Sequence, residues 1–159
     1  MHIVTTHRNT DFDGLASMIA ATLLYPGTVA ACPKNVNPNV HRFLSLHKTS
    51  IDIILMGEVK LEAVRRLIVT DTNQWRRLDR VDQLREREDV ELLLWDHHLG
   101  LGDINPHWQC VEKIGATITL LVRELKLQNI ALTPLQATLF LLGLYEDTGQ
   151  LTFSATTPE

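Results

Sequence analysis

Apolar residues fall in short runs that alternate with longer amphipathic stretches along the whole chain. His2-Ile3-Val4-Thr5-Thr6 is short and rich in β-branched residues, which predicts a first strand. From Asp13 to Tyr25 small and apolar residues dominate, and Pro26-Gly27 closes the helix they predict. Thr28 to Cys32 reads as a second strand, Asn39 to His47 as a short helix, and Leu67-Ile68-Val69-Thr70 as a buried strand that stops at Asp71. Trp75 to Arg87 reads as a charged helix feeding the apolar run Val90 to Trp95. Ile118, Leu121, Val122 and Leu125 then share one face of a helix from about Gly115 to Leu127. The last helix starts at Pro134, with Thr133 as N-cap and Gln136 completing a capping box. Leu135, Leu139, Phe140, Leu141, Leu142 and Leu144 make it apolar nearly all round, so deep burial is expected. Continuously apolar short strands separated by helices imply a parallel sheet covered on both sides. The expected fold class is α/β, a doubly wound parallel sheet with helices on both faces.

Composition changes this picture little. At 159 residues, with 45% hydrophobic and 21% charged residues, the chain is one domain's worth and is not disordered. No apolar run approaches the roughly 18 residues of a membrane span, and no basic-then-apolar leader opens the chain, so a cytoplasmic protein with no membrane partner is expected. Cys32 and Cys110 lie far apart, without metal-like or disulfide-framework spacing, and read as small apolar residues. A net charge of −4 argues against a broad nucleic-acid surface. The arginines at 65, 66, 76, 77, 80, 85 and 87 do not restore one. Asp79, Asp82, Glu86, Glu88 and Asp89 are interleaved with them, as on a solvated, charge-paired helix.

Four clusters carry the candidate chemistry. His7-Arg8-Asn9-Thr10-Asp11-Phe12-Asp13-Gly14 follows the first strand, Asp71 ends the strand Leu67 to Thr70, Asp96-His97-His98 ends Val90 to Trp95, and Glu146-Asp147-Thr148-Gly149 ends the last helix. Ligands of open parallel sheets bind outside the carboxyl ends of the strands, so these residues are expected on one rim. Carboxylates so crowded raise one another's pKa unless cations are present. Mixed imidazole and carboxylate donors suit manganese, zinc or iron, and the absence of cysteine argues against a structural zinc site. Each cluster alone has a bland reading, as a cap, a turn or an exposed histidine pair; it is their joint placement that points to a metal site. Asn9-x-Asp11-x-Asp13-Gly14 also starts like a calcium-binding EF-hand loop, but the twelfth position is Ala20 where a bidentate glutamate is needed. Aspartyl-phosphate phosphatases share Asp11-x-Asp13-Gly14, yet Leu15 replaces their usual threonine or valine and Asp96-His97-His98 stays unexplained.

The ordered set His7-x-x-x-Asp11-x-Asp13-Gly14, Val69-Thr70-Asp71-Thr72, Asp96-His97-His98 and Gly143-x-x-x-Asp147-Thr148-Gly149 resembles the DHH phosphoesterase superfamily. That superfamily includes RecJ-like exonucleases, nanoRNA and pAp phosphatases, cyclic-dinucleotide phosphodiesterases, exopolyphosphatases and family II inorganic pyrophosphatases. The resemblance runs from about His2 to Thr157 and implies that residues 1–159 are a DHH catalytic domain. It implies two divalent ions, manganese first, with magnesium, cobalt or zinc as alternatives. One would be held by His7, Asp11 and Asp71, the other by Asp13, Asp71, His97 and Asp147, with Asp71 bridging. Such ions, roughly 3.5–4 Å apart, activate water for in-line attack on phosphorus. Asp71, His97, His98 and Asp96 are the implied catalytic group. His98 would touch the scissile phosphate, together with Arg8 and Asn9, and Asp96 would orient the neighbouring imidazoles.

The implied substrate is a nucleotide or short oligonucleotide. The second, substrate-binding lobe of the superfamily is absent after Thr156-Thr157-Pro158-Glu159, so a longer protein carrying that lobe as partner is expected, with homo-oligomer formation left open. The tract Leu144 to Gly149 with Leu151-Thr152-Phe153 is also similar to DHH domains fused to CBS and poly(A) polymerase-like domains. This leaves a second implication, a metal- or nucleotide-sensing DHH domain without turnover that regulates a fused nucleotidyltransferase.

Overall fold

Six parallel strands form the centre of the computed structural model, which describes residues 1–159. They are β1 (His2–Thr5), β2 (Thr28–Cys32), β3 (Ile53–Leu55), β4 (Arg66–Thr70), β5 (Glu91–Asp96) and β6 (Trp108–Val111), in the order β3-β2-β1-β4-β5-β6. The chain winds outward from β1 through β2 to β3, returns to β4 on the other side of β1, and continues to β6. The order therefore reverses between β1 and β4, and such a reversal opens a crevice at the carboxyl ends of the two strands.

Alternation along each strand separates two cores. Val4, Ala30, Ile68, Leu93 and Trp95 face the larger one, which takes in α1 (Phe12–Leu24), Val40 of α2 (Pro38–Leu46), α3 (Thr117–Leu127) and α4 (Pro134–Asp147). Ile3, Ala31, Leu67, Val69, Leu92 and Leu94 face the smaller one. The expected doubly wound parallel sheet is present, and helical segments cover both faces. Those on the second face are short 3₁₀ turns, at Met56–Glu58, Leu61–Ala63, Trp75–Arg77 and Val81–Leu84.

The helix expected from Trp75 to Arg87 is thus replaced by two 3₁₀ turns. Its buried residues, Trp75, Leu78, Val81 and Leu84, recur every third position. That is the period of a 3₁₀ turn, whereas an α-helix of 3.6 residues per turn would rotate them out of line. Arg80, at φ 60°, breaks the backbone between the turns. The nearby charges pair across loops, Arg87 with Asp89 at 2.6 Å and Arg85 with Asp103 at 3.6 Å, and not along a helix face. β3 and β6 were not evident in the pattern. Both are edge strands of three or four residues and only partly buried, so neither shows a continuous apolar run.

α4 also departs from expectation. Only Leu139, Phe140 and Gly143 are buried, while Leu141 and Tyr145 are 51% and 44% exposed. The helix rests on α1 and α3, and no element of this chain lies over its outer side. Gly143 is the point of closest approach. A Cβ there would meet Phe12 O at 2.9 Å and Asp13 Cα at 3.0 Å, both of them backbone atoms. Gly143→Ala is therefore expected to force α4 away from α1 and to destabilise the fold by about 1–3 kcal/mol, read from urea unfolding. Wild-type stability in that variant would show that the two helices separate freely.

Candidate metal centre

Three strand ends and one helix end deliver the polar residues. β1 runs into a loop whose Asp11 caps α1, its Oδ1 accepting the Gly14 N–H at 2.9 Å. Gly14 is required there, because a Cβ would meet Thr6 Oγ1 at 2.7 Å and His7 Nε2 at 3.2 Å. β4 ends at Asp71, which is buried and left-handed at φ 60°, a conformation that aspartate tolerates better than most residues. Its N–H donates to Trp95 O at 2.8 Å, tying the turn to β5. β5 ends at Asp96, fully buried, with His97 and His98 beyond it. α4 supplies Asp147 as its last residue.

Both inner imidazoles are oriented by main-chain carbonyls. His7 Nδ1–H donates to Arg8 O at 2.8 Å, and His97 Nδ1–H donates to Ile114 O at 3.0 Å. This fixes the tautomer and presents Nε2 of each ring to the carboxylates, as a metal-ligating histidine requires. His7 Nε2 lies 3.2 Å from Asp71 Oδ2 and 3.5 Å from Asp11 Oδ2. His97 Nε2 lies 3.5 Å from Asp71 Oδ1 and 3.1 Å from Asp147 Oδ2, yet it is buried and aligned for no hydrogen bond. A nitrogen in that position suits a shared cation.

Three overlapping groups of donors result, His7 with Asp11 and Asp71, Asp13 with Asp71, His97 and Asp147, and Asp71 with His97 and His98, the atoms of each lying within 4.8 Å of one another. Asp71 belongs to all three and turns one oxygen toward His7 and the other toward His97. This oxygen and nitrogen set can hold divalent cations.

The carboxylates are also held by groups that the motifs did not reveal. Asp13, fully buried, accepts the N–H groups of Thr117 and Ile118 at 2.7 and 2.8 Å, so it caps α3 from another helix. The N-cap of α3 is Ala116, which has no side chain able to do this, and that absence was the available signal. Thr117 Oγ1 donates to Asp71 Oδ1 at 2.9 Å. Asp96 Oδ1 accepts from the N–H groups of His97 and His98 at 2.9 and 3.2 Å and pairs with His98 Nδ1 at 2.7 Å. Asp96 thus orients one imidazole of the two expected, the His97 ring being set by Ile114. His98 is more exposed and stands at the edge, near Asp71 Oδ1 at 3.8 Å.

Arg8 and Asn9 lie outside the donor groups. Arg8 Nε donates to Leu78 O at 2.8 Å, and Asn9 lines a separate polar hollow with Lys34, Asn35, His41 and Arg42. Glu146 is also occupied elsewhere, its Oε2 accepting the Phe12 N–H at 2.6 Å.

The balance of charge shows in the pKa shifts. Burial disfavours charged His7, but hydrogen bonds to Asp11 and Asp71 outweigh it and push the imidazole up to about 10. Burial likewise opposes His97, and Asp147, Ile114 O and the neighbouring carboxylates push it up to about 9. Asp13 is raised well above the usual carboxylate range by burial, then by Asp71 and Asp147. Asp71 is raised by burial against the pull of His7, while Asp11 is lowered because His7 overcomes its burial. Protons are retained where cations would otherwise offset the carboxylates.

Comparison with known proteins identifies the family. Residues 2–144 match the model of the DHH family, N-terminal domain. An A-adding tRNA nucleotidyltransferase of Geobacter sulfurreducens is 37% identical over 161 residues, covering 100% of this chain but only 18% of that protein. A probable manganese-dependent inorganic pyrophosphatase of Streptococcus mutans is 27% identical, over 92% of this chain and 47% of its own length. An exopolyphosphatase-related protein from Bacteroides fragilis shares the fold at a TM-score of 0.76 and 20% identity, over 98% of this chain and 48% of that one. The chain belongs to the DHH family.

The shifts set a pH dependence for the metal-free protein. His7 and His97 are raised from 6.5 to about 10 and about 9, so their stabilisation is full below pH 6.5 and is lost as pH rises through those values. The raised carboxyls of Asp13 and Asp71 act in the same direction, and the lowered Asp11 opposes them only in acid. Melting temperature without metal should fall between pH 7 and 10, and manganese should flatten that fall. A metal-free melting temperature that rises over this range would contradict the arrangement.

Proposed function

We propose that residues 1–159 act as the catalytic domain, within a longer protein, of a phosphoesterase that requires divalent metal. The substrates are phosphodiester or phosphomonoester bonds of short oligonucleotides or nucleotides. The observation that carries this reading is the position of Asp71, which turns one oxygen to His7 and the other to His97. In this reading His7, Asp11 and Asp71 hold one ion, and Asp13, Asp71, His97 and Asp147 hold the second. Manganese is favoured by the mixed donors and by the resemblance to a probable manganese-dependent pyrophosphatase. Divalent ions held by these residues would supply Lewis-acid chemistry, making water more acidic and offsetting charge on phosphate oxygens.

The chain's own residues do the rest. Ile114 O and Arg8 O hold the two imidazoles in the tautomer that leaves Nε2 free. Thr117 and the start of α3 fix Asp71 and Asp13 before any ligand arrives. In this reading His98, exposed at the edge and oriented by Asp96, contacts the scissile phosphate, with Arg8 and Asn9 farther out on the loop between β1 and α1. A C-terminal lobe completing substrate recognition and a cytoplasmic location belong to the same reading, supported by the 18% share of the tRNA nucleotidyltransferase relative that this chain matches and by two free cysteines.

That relative also favours a second reading, a DHH domain that senses metal or nucleotide within a nucleotidyltransferase and does not turn it over. Manganese titration and hydrolysis of a 5′-phosphorylated dinucleotide separate the two. Hydrolysis by the wild type with about two ions per chain supports the phosphoesterase, and tight binding of both without product supports the sensor. Asp71→Asn keeps the shape of the side chain while removing its charge. It is expected to lose tight binding of at least one ion and at least about 100-fold in turnover. Full metal loading and full rate in Asp71→Asn would sink the bridging role.

A further inference from the structure

On the flank of the metal centre, the start of α1, the start of α2 and the end of α4 enclose a cleft of about 490 Å³. Its walls are Phe12, Leu142, Tyr145 and Leu151, with Asn39 and Gln150 at the rim. Phe12 stands between Asp11 and Asp13, and Glu146, also in the wall, precedes Asp147. The Cα atoms of wall and ligand residues are therefore only about 3.8 Å apart. The Phe12 N–H bonded to Glu146 Oε2 joins the two helix ends into one frame.

We infer that this cleft is a nucleobase shelf, holding the base of a nucleotide whose phosphate reaches the metal centre. The chemistry of the walls selects that ligand. The Phe12 ring is half-buried and braced edge-on by Phe43, with centroids 5.6 Å apart and planes at 86°. Tyr145 is 44% exposed, which leaves aromatic surface available for stacking. Exposed amides at Asn39 and Gln150 each carry a donor and an acceptor, which match the mixed edge of a base. No lysine, arginine or histidine lines the cleft, and Glu146 does, so a second phosphate is disfavoured there.

The backbone adds an independent sign. Gly149, Gln150 and Leu151 are consecutive left-handed residues, at φ 53°, 57° and 67°. Leucine in that region is unusual, and strained backbone of this kind collects at ligand sites. Here it is held by Gln150 N–H on Tyr145 O at 2.8 Å and by Leu151 N–H on Thr148 Oγ1 at 3.1 Å. The result is that both side chains line the cleft.

The shelf rests on the phosphoesterase reading only for the direction in which the nucleotide lies. Equilibrium binding to the manganese-loaded protein tests it, with adenosine 5′-monophosphate compared against ribose 5-phosphate. The wild type should bind the nucleotide about tenfold or more tightly, the scale of one base stacked on an aromatic ring. Tyr145→Ala, at an exposed position, should abolish that preference while leaving ribose 5-phosphate affinity and manganese stoichiometry unchanged. Equal affinities in the wild type, absence of binding by both ligands, or a preference that survives Tyr145→Ala each overturn the shelf. Turnover is read separately. A base preference without hydrolysis overturns the phosphoesterase alone, and hydrolysis without a preference overturns the shelf alone.

Discussion

The concentration of negative charge around Asp71 is the constraint on which the rest of the structure depends. Asp11, Asp13, Asp71 and Asp147 converge on two imidazoles, with Asp13 and Asp71 buried and Asp11 and Asp147 half-buried. Such a group is tolerated only where every oxygen has something positive or donating to face. The fold supplies these partners from α1, α3 and the end of β5. The start of α3 donates to Asp13, Thr117 donates to Asp71, Gly14 N–H donates to Asp11, and His97 stands against Asp147. What remains is carried by protons on His7 and His97, which is why both are raised far above the ordinary imidazole value.

Topology explains why these partners can meet. Reversal of strand order between β1 and β4 leaves the two strand ends adjacent but sends their connections in opposite directions. No crossover covers the crevice between them, so the loop carrying His7 and Asp11 faces Asp71 directly. α1 and α4 then close one side, and they can do so only because Gly143 lets the α4 backbone approach that of Phe12 and Asp13. A close contact between these helices therefore lies at the level of Asp13, beside the candidate donors. Packing and site geometry are set by one contact.

Much of this was legible in the residues because the relevant signals are local. Short apolar strands, helix caps at Asp11 and Thr133, and polar clusters at strand ends are each contained in a few consecutive positions. The strands β1, β2, β4 and β5 and all four α-helices were readable to within two residues at their ends. What was not legible depends on partners distant in sequence. β3 and β6 owe their conformation to a neighbouring strand and not to their own apolar content. The segment Trp75 to Leu84 was misread because three-residue and 3.6-residue periods separate poorly over ten positions, and the sheet face decided between them. The roles of Thr117 and Ile114 are not legible because they act through a hydroxyl, an N–H and a carbonyl on partners distant in sequence.

Asp13 shows how closely fold and centre are joined. A carboxylate at a helix N-terminus is favoured by the helix dipole and the free N–H groups there. Both oxygens of Asp13 already satisfy α3 in this way, with Ser17 Oγ adding a longer contact at 3.4 Å. Each carboxylate oxygen keeps a further lone pair, so helix capping and cation binding do not compete for the same electrons. They do share the same negative charge. A cation near Asp13 weakens its attraction for the α3 dipole, while the dipole weakens the carboxylate as a ligand. The helix therefore holds the ligand in position at some cost to its strength as a donor. Asp71, the carboxylate common to every donor group, is fixed in a different way, by the hydroxyl of Thr117.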